Sequence, residues 1–160
     1  MKNNHMTSSF EARISQLGIV LPVPPKSAAN YVSNRQIGNL LYVSGQLCLD
    51  TDGKLVAKGL IGLDVSVEDG ARAARVAAIN AIAQARAALG NLDRIRQIIR
   101  LAGFIAAPAT FAEHARVMNG ASDLMVQVFG EQGRHTRSTI GVASLPLQAA
   151  IEVEALIELL

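Results

Sequence analysis

The chain has 160 residues, half of them hydrophobic, only 18% charged and 4% aromatic, with no Trp and a net charge of +2. That length fits one domain of ordinary size, and charges this few and this mixed give only weak support to nucleic-acid binding by a basic stripe, so a nucleic-acid partner is not expected. The apolar share is larger than a monomer of this size can hide, so an oligomer is expected.

One cysteine, Cys48, excludes an internal disulfide framework and reads as a small buried hydrophobe in a reducing compartment. No apolar run approaches the roughly 20 residues that span a bilayer. The start, Met1 to Met6, lacks the apolar region of a secretory signal. A cytoplasmic protein without a membrane partner is expected.

In chain order, Ser9 precedes Phe10, Ile14 and Leu17 at helical spacing, and Gly18 supplies a stop, which predicts a short amphipathic helix. Leu21-Pro22-Val23-Pro24-Pro25 must be extended, because prolines fix φ and remove backbone donors. Residues 1–30 are thus an N-terminal helix and arm, and residues 31–160 the main body of one structural domain. From Tyr31 to Leu49 the chain is rich in Tyr, Val, Ile and Leu with Gly38-Asn39 between, predicting two strands and a tight turn, the second strand carrying Leu40 to Val43. Thr51-Asp52-Gly53-Lys54 is a further turn, before a short extended piece at Leu55 to Ala57.

Ser66, with Asp69 three residues on, caps the clearest helix, an Ala-rich run to Leu89 that Gly90 ends. Val76, Ile79 and Ala83 mark its packed face, and Arg72, Arg75 and Arg86 its wet one. A strand follows at Ile95 to Ala106, a second long helix at Phe111 to Phe129 and a strand at Thr139 to Ala143. In the last strand, Ile151 to Leu159, apolar residues alternate with Glu152, Glu154 and Glu158. The pattern predicts an α+β fold, a mixed β-sheet with two long helices packed on one face.

The common catalytic signatures are missing: no phosphate-binding loop, no Gly-x-Ser-x-Gly elbow, no His-Glu-x-x-His helix and no Cys-x-x-Cys pair. His5, His114 and His135 are far apart and read as surface or loop residues without metal-ligand spacing. From residue types alone, Arg137 and Glu152 are a cross-strand ion pair on a solvated face. Tyr31 is a packed strand aromatic and Ser44 a turn residue. Glu154 and Glu158 are solvated or intersubunit charges.

The segment Arg137-Ser138-Thr139-Ile140-Gly141-Val142-Ala143-Ser144-Leu145-Pro146, followed by Ile151-Glu152-Val153-Glu154-Ala155, resembles the closing signature of the reactive-intermediate deaminase family, RidA or YjgF, also called endoribonuclease L-PSP. That signature is Arg-Ser-x-Val-x-Val-x-x-Leu-Pro and then a β run with Glu-x-Glu, and Ile140 stands for its first Val. Upstream, Ser44-Gly45-Gln46 is similar to the family's second-strand Ser-Gly-Gln, and Asn30-Tyr31 falls where the family has Pro-Tyr. The resemblance runs from about Tyr31 to the end. Thr139 departs from the Cys of short members, the second long helix is about a turn longer, and the N-terminal helix and arm are extra, as in a longer subgroup.

The resemblance implies a chorismate-mutase-like fold, a homotrimer, and a site in each cleft between neighbouring subunits. It implies that Arg137 holds a substrate carboxylate, for which a planar guanidinium is suited, and that Glu152 positions or activates water. Tyr31 would cover the ligand from the adjacent subunit, Ser44 and Thr139 would supply polar edges, and Asn119 would complete the binding set. The implied activity is hydrolysis of reactive 2-imino acids to 2-oxo acids and ammonia. It needs neither metal nor organic cofactor, because a protonated C=N carbon is already electrophilic. The rival readings are a non-catalytic trimer that binds a small carboxylate in the same cleft and, last, a nuclease, which would want a His pair, a metal site or a basic groove with stacking aromatics.

Overall fold

The computed structural model describes residues 9–24 and 30–160; the Met1 to Met6 start, with His5, and Pro25 of the arm lie outside them. The elements are α1 (Phe10–Gln16), β1 (Asn34–Ile37), β2 (Leu40–Leu47), α2 (Val67–Leu89), β3 (Ile95–Ala106), α3 (His114–Phe129), β4 (Thr136–Val142) and β5 (Ile151–Leu159). Their sheet order is β1-β2-β5-β3-β4. Every neighbouring pair is antiparallel except β3 and β4. A parallel pair needs a crossover, and α3 provides it. The expected single-domain α+β fold with a mixed sheet is therefore present.

The caps are where the sequence puts them. Ser9 accepts the Ala12 N–H at 3.1 Å, Ser66 accepts that of Asp69 at 3.0 Å, and Gly90 ends α2 at φ +75°. Along α2, Ala73, Ala74, Ala77, Ala78, Ala81 and Ala85 are buried, while Val76 and Ile79 lie at the margin of that face. Small residues permit close helix packing: a Cβ on Gly120 of α3 would collide with the Ala71 carbonyl of α2. Arg75 is not simply in water, since it donates to Gln127 of α3 at 2.8 Å. Cys48 is fully buried.

The N-terminal helix is built into the domain. Phe10 meets Phe129 edge-on with ring centroids 4.9 Å apart, Glu11 pairs with Arg86 at 3.2 Å, and Ile14 belongs to the core. Other boundaries shift for local reasons. Strand β4 starts at Thr136, so Arg137 is a strand residue. Helix α3 starts at His114, because Phe111 closes a turn onto the Pro108 carbonyl at 2.9 Å. Strand β1 starts at Asn34, which leaves Tyr31 outside the sheet and 56% exposed instead of packed in a strand. Leu55 pairs only through an isolated bridge to Leu49.

Strand β5 alternates as its sequence predicts. Ile151, Val153, Ala155, Ile157 and Leu159 are buried with the residues of α2 and α3. The opposite sheet face carries Glu152, Glu154, Tyr42, Phe104, Leu156 and Ile140, of which Glu154, Tyr42 and Ile140 are exposed. Among the described residues no helix is long and apolar enough to cross a membrane.

Candidate functional site

Because α3 is the crossover between two parallel strands, it runs back along β4, and its residues meet the strand in reverse order. Opposed strand partners share a face. Arg137 is in register with Leu101, Thr139 with Gly103 and Gly141 with Ile105, and Leu101 and Ile105 are core residues. All three β4 positions therefore face α3.

Arg137 lies half-buried in this groove. Its Nη1 donates to Asn119 Oδ1 at 3.0 Å and to Ser122 Oγ at 3.1 Å, which uses both hydrogens of that nitrogen. Neither acceptor is charged. Among the described residues Arg137 has no carboxylate partner, and its Nε and Nη2 hydrogens have no protein acceptor. These two form the side-on edge that takes a carboxylate through two parallel bonds.

A relay supports the guanidinium. Nδ1 of His135 faces the Gly133 carbonyl at 2.6 Å, and a carbonyl only accepts, so Nδ1 carries the proton. Nε2 of His135 then accepts from the Ser122 hydroxyl at 3.0 Å, leaving the Ser122 oxygen to accept from Arg137. Burial lowers the His135 pKa below the ordinary imidazole value; its bond to Gly133 opposes this, and the Arg137 charge adds to the lowering. A neutral His135 suits the relay. Sequence reasoning placed His135 with the surface and loop histidines and did not single out Ser122. The signal was a polar pair, Asn119 and Ser122, spaced i,i+3 among the buried Val117, Met118, Ala121 and Met125 of an otherwise apolar helix face.

The other site residues gather elsewhere. Ser44 Oγ donates to the Val32 carbonyl at 2.8 Å, and the Ser44 N–H to the Ser33 carbonyl at 2.9 Å, so Ser44 holds the segment that carries Tyr31. Next to it, β2 breaks register between Val43 and Gln46, and Gly45 in that bulge lies under the Glu152 carboxylate. A Cβ on Gly45 would occupy the position of Glu152 Oε1, which gives Ser44-Gly45-Gln46 its physical reason. Glu152 has no hydrogen-bond or ion-pair partner among the described residues. Burial first, and the Glu154 carboxylate second, push its pKa above the ordinary carboxyl range.

The six residues thus form two groups. Arg137, Thr139 and Asn119 line the β4–α3 groove, and Tyr31, Ser44 and Glu152 lie around the β2 bulge and the uncovered sheet face. A cross-strand pair of Arg137 and Glu152 is excluded by topology: β3 separates their strands, and Glu152, in register with Phe104, projects from the opposite face. Among the described residues no group of three or more His, Cys, Asp or Glu could hold a metal ion.

The chain matches the family model described as "YjgF/chorismate mutase-like, putative endoribonuclease" over residues 11–159. The match begins inside α1, so the N-terminal helix is part of what is shared. Protein TCP17 of Trypanosoma cruzi is 45% identical over 149 residues, 92% of each chain. Among solved structures, Atu1372 of Agrobacterium tumefaciens, a protein of unknown function, is 47% identical with a TM-score of 0.87, over 94% of this chain and 93% of that one. A "putative endoribonuclease" from Shewanella oneidensis is 38% identical with a TM-score of 0.91, over 94% and 99%.

Proposed function

This chain belongs to the YjgF/chorismate-mutase-like family, and we propose that within it the protein is a cofactor-independent deaminase that hydrolyses 2-imino acids to 2-oxo acids and ammonia. The observation that carries this reading is Arg137, a half-buried guanidinium held by two neutral acceptors with its two-pronged edge unpaired. A cation so fixed is built to receive an anion. Nothing in its surroundings requires that anion to be a phosphodiester, and a short α-substituted carboxylate offers the two oxygens that this edge takes.

The chemistry asks for one water and one proton carrier. With the carboxylate on Arg137, water adds to the iminium carbon while Glu152 takes its proton, giving a tetrahedral carbinolamine. Glu152 returns that proton to the amine, the C–N bond breaks, and the hydroxyl gives its own proton back to Glu152 as the oxygen closes to a carbonyl; ammonia leaves and that last proton passes to it or to solvent. A carboxyl whose pKa is raised by burial is nearer the working pH and better matched to both transfers.

Since Arg137 and Glu152 project from opposite faces, one protomer cannot supply both, and the proposed site lies between subunits of a homotrimer. Tyr42, Ile140, Phe104 and Leu156 on the uncovered face support that assembly. Tyr31 and Ser44 would then wall the cleft that Arg137, Asn119 and Thr139 enter from a neighbour. In this reading the ligand is a small carboxylate, and the protein works in the cytoplasm. The test is ammonia release from 2-iminopropionate generated in place, with the imine trapped by semicarbazide as a second readout. Turnover no faster than the buffer reaction, with pyruvate still bound, would leave a carboxylate-binding trimer. Metal-independent RNA cleavage lost on Arg137→Ala would instead favour the nuclease that the family description names.

A further inference from the structure

The side of β4 that faces α3 continues beyond Arg137. Two positions beyond Thr139 the same strand face reaches Gly141, and there the first residue of α3, His114, lays its imidazole across the strand. A Cβ on Gly141 would stand 2.7 Å from His114 Nε2, so the ring occupies space that only glycine leaves open. Phe111 packs edge-on against the ring with centroids 5.0 Å apart. His114 is half-buried, and among the described residues neither ring nitrogen has a hydrogen-bond partner. The ring borders a cavity of about 400 Å³ whose other walls include Ala107, Pro108, Phe111 and Val142. Backbone polar atoms also reach this pocket, but the imidazole is the polar side chain among the residues that line it, the one that can fix orientation by its own N–H.

Spacing sets what would fit. His114 lies five residues before Asn119 on α3, about 7.5 Å along the axis, and the guanidinium sits at the level of Asn119 and Ser122. The gap from guanidinium to imidazole is therefore on the order of 10 Å once both side chains are counted. A three-carbon acid on Arg137 falls short of it. A chain of about five carbons, with bonds of about 1.5 Å and a hydrogen bond of about 2.9 Å at each end, spans it. In either tautomer an imidazole offers one N–H.

We propose that this pocket is the side-chain subsite of the carboxylate site, and that His114 selects 2-imino and 2-oxo acids with an acceptor oxygen at the far end of a chain of about five carbons. The inference rests on Arg137 as the carboxylate anchor. It is tested by titration calorimetry on the full chain with pyruvate, 2-oxoglutarate and 4-methyl-2-oxopentanoate. We expect 2-oxoglutarate to bind about three- to ten-fold more tightly than pyruvate, a gain that a single hydrogen bond provides, and 4-methyl-2-oxopentanoate to lack that gain. His114→Phe should abolish the gain and leave pyruvate affinity unchanged, and His114→Gln should keep part of it. Gly141→Ala, which displaces the imidazole by its tip alone, should act like His114→Phe.

Equal affinity for pyruvate and 2-oxoglutarate, or a gain that survives His114→Phe, overturns the subsite while leaving the anchor standing. An equal gain for 4-methyl-2-oxopentanoate overturns the acceptor requirement. Failure of all three acids to bind removes the anchor and the subsite together.

Discussion

Replacing Arg137 by Lys keeps the charge and tests whether geometry matters. Arginine has five N–H groups in a fixed fork; two are spent on Asn119 and Ser122, and three remain, two of them parallel. Lysine has three in all. If its ammonium satisfies the same two acceptors, one N–H is left, and a bidentate carboxylate loses one of its two bonds. A hydrogen bond to a charged group contributes about 1.5–3 kcal/mol, so pyruvate affinity should fall about ten-fold to a hundred-fold. Calorimetry at constant ionic strength reads this directly, with circular dichroism to show that the fold is retained. An affinity within about two-fold of wild type would refute the reasoning, because a point charge would then serve as well as the fork.

Glu152→Gln should reduce imine turnover while pyruvate binding persists. It should also raise the thermal midpoint at pH 7: the Glu152 pKa is higher in the folded state, so ionising it opposes folding, and that penalty disappears as pH falls below the ordinary carboxyl range. A midpoint difference independent of pH would contradict this. Gly45→Ala should displace the Glu152 carboxylate and slow turnover by about ten-fold or more while binding at Arg137 holds; unchanged turnover would remove Glu152 from the chemistry. His135 has the opposite linkage, with a folded pKa below its ordinary value. It therefore contributes stability that is fully present above that ordinary value and is lost as pH falls from there through the lower folded value. Nitrogen-correlated NMR should find the proton on Nδ1 at pH 7, and Ser122→Ala should weaken pyruvate binding; a proton on Nε2 would break the relay. Sedimentation at micromolar concentration should give about three times the 16.9 kDa chain mass, and a stable monomer would leave the two residue groups without a common site.

What the sequence showed depended on range. Ser66 and Gly90 bounded α2 because a cap is a contact within one helical turn, and β5 was legible because alternation is a local consequence of the pleat. The motif brought Arg137, Asn119 and Thr139 forward, and they do share a groove. It did not show that Glu152 faces the other way, because that depends on β3 being inserted between β4 and β5, a choice made by the α3 crossover and not by either strand's own residues. Nor was the start of α3 legible, since the turn from Pro108 to Phe111 competes with helix formation through a single backbone bond. The Ser122–His135 relay escaped because hydrogen bonds across a helix–strand interface follow no fixed sequence spacing.

The separation of the two residue groups also constrains symmetry. A contact that brings the β4 edge of one subunit to the β2–β5 region of the next joins two different surfaces, so it is head-to-tail. A two-fold dimer cannot form through it, because a two-fold axis pairs each patch with itself. Such a contact either closes into a ring or continues as a filament, and only the angle between the two surfaces decides which. Substitutions near the β2 bulge or the rim of β4 that tilt one surface by a few degrees would thus open such a ring and leave each chain folded, turning a closed oligomer into a polymer without unfolding any part of it.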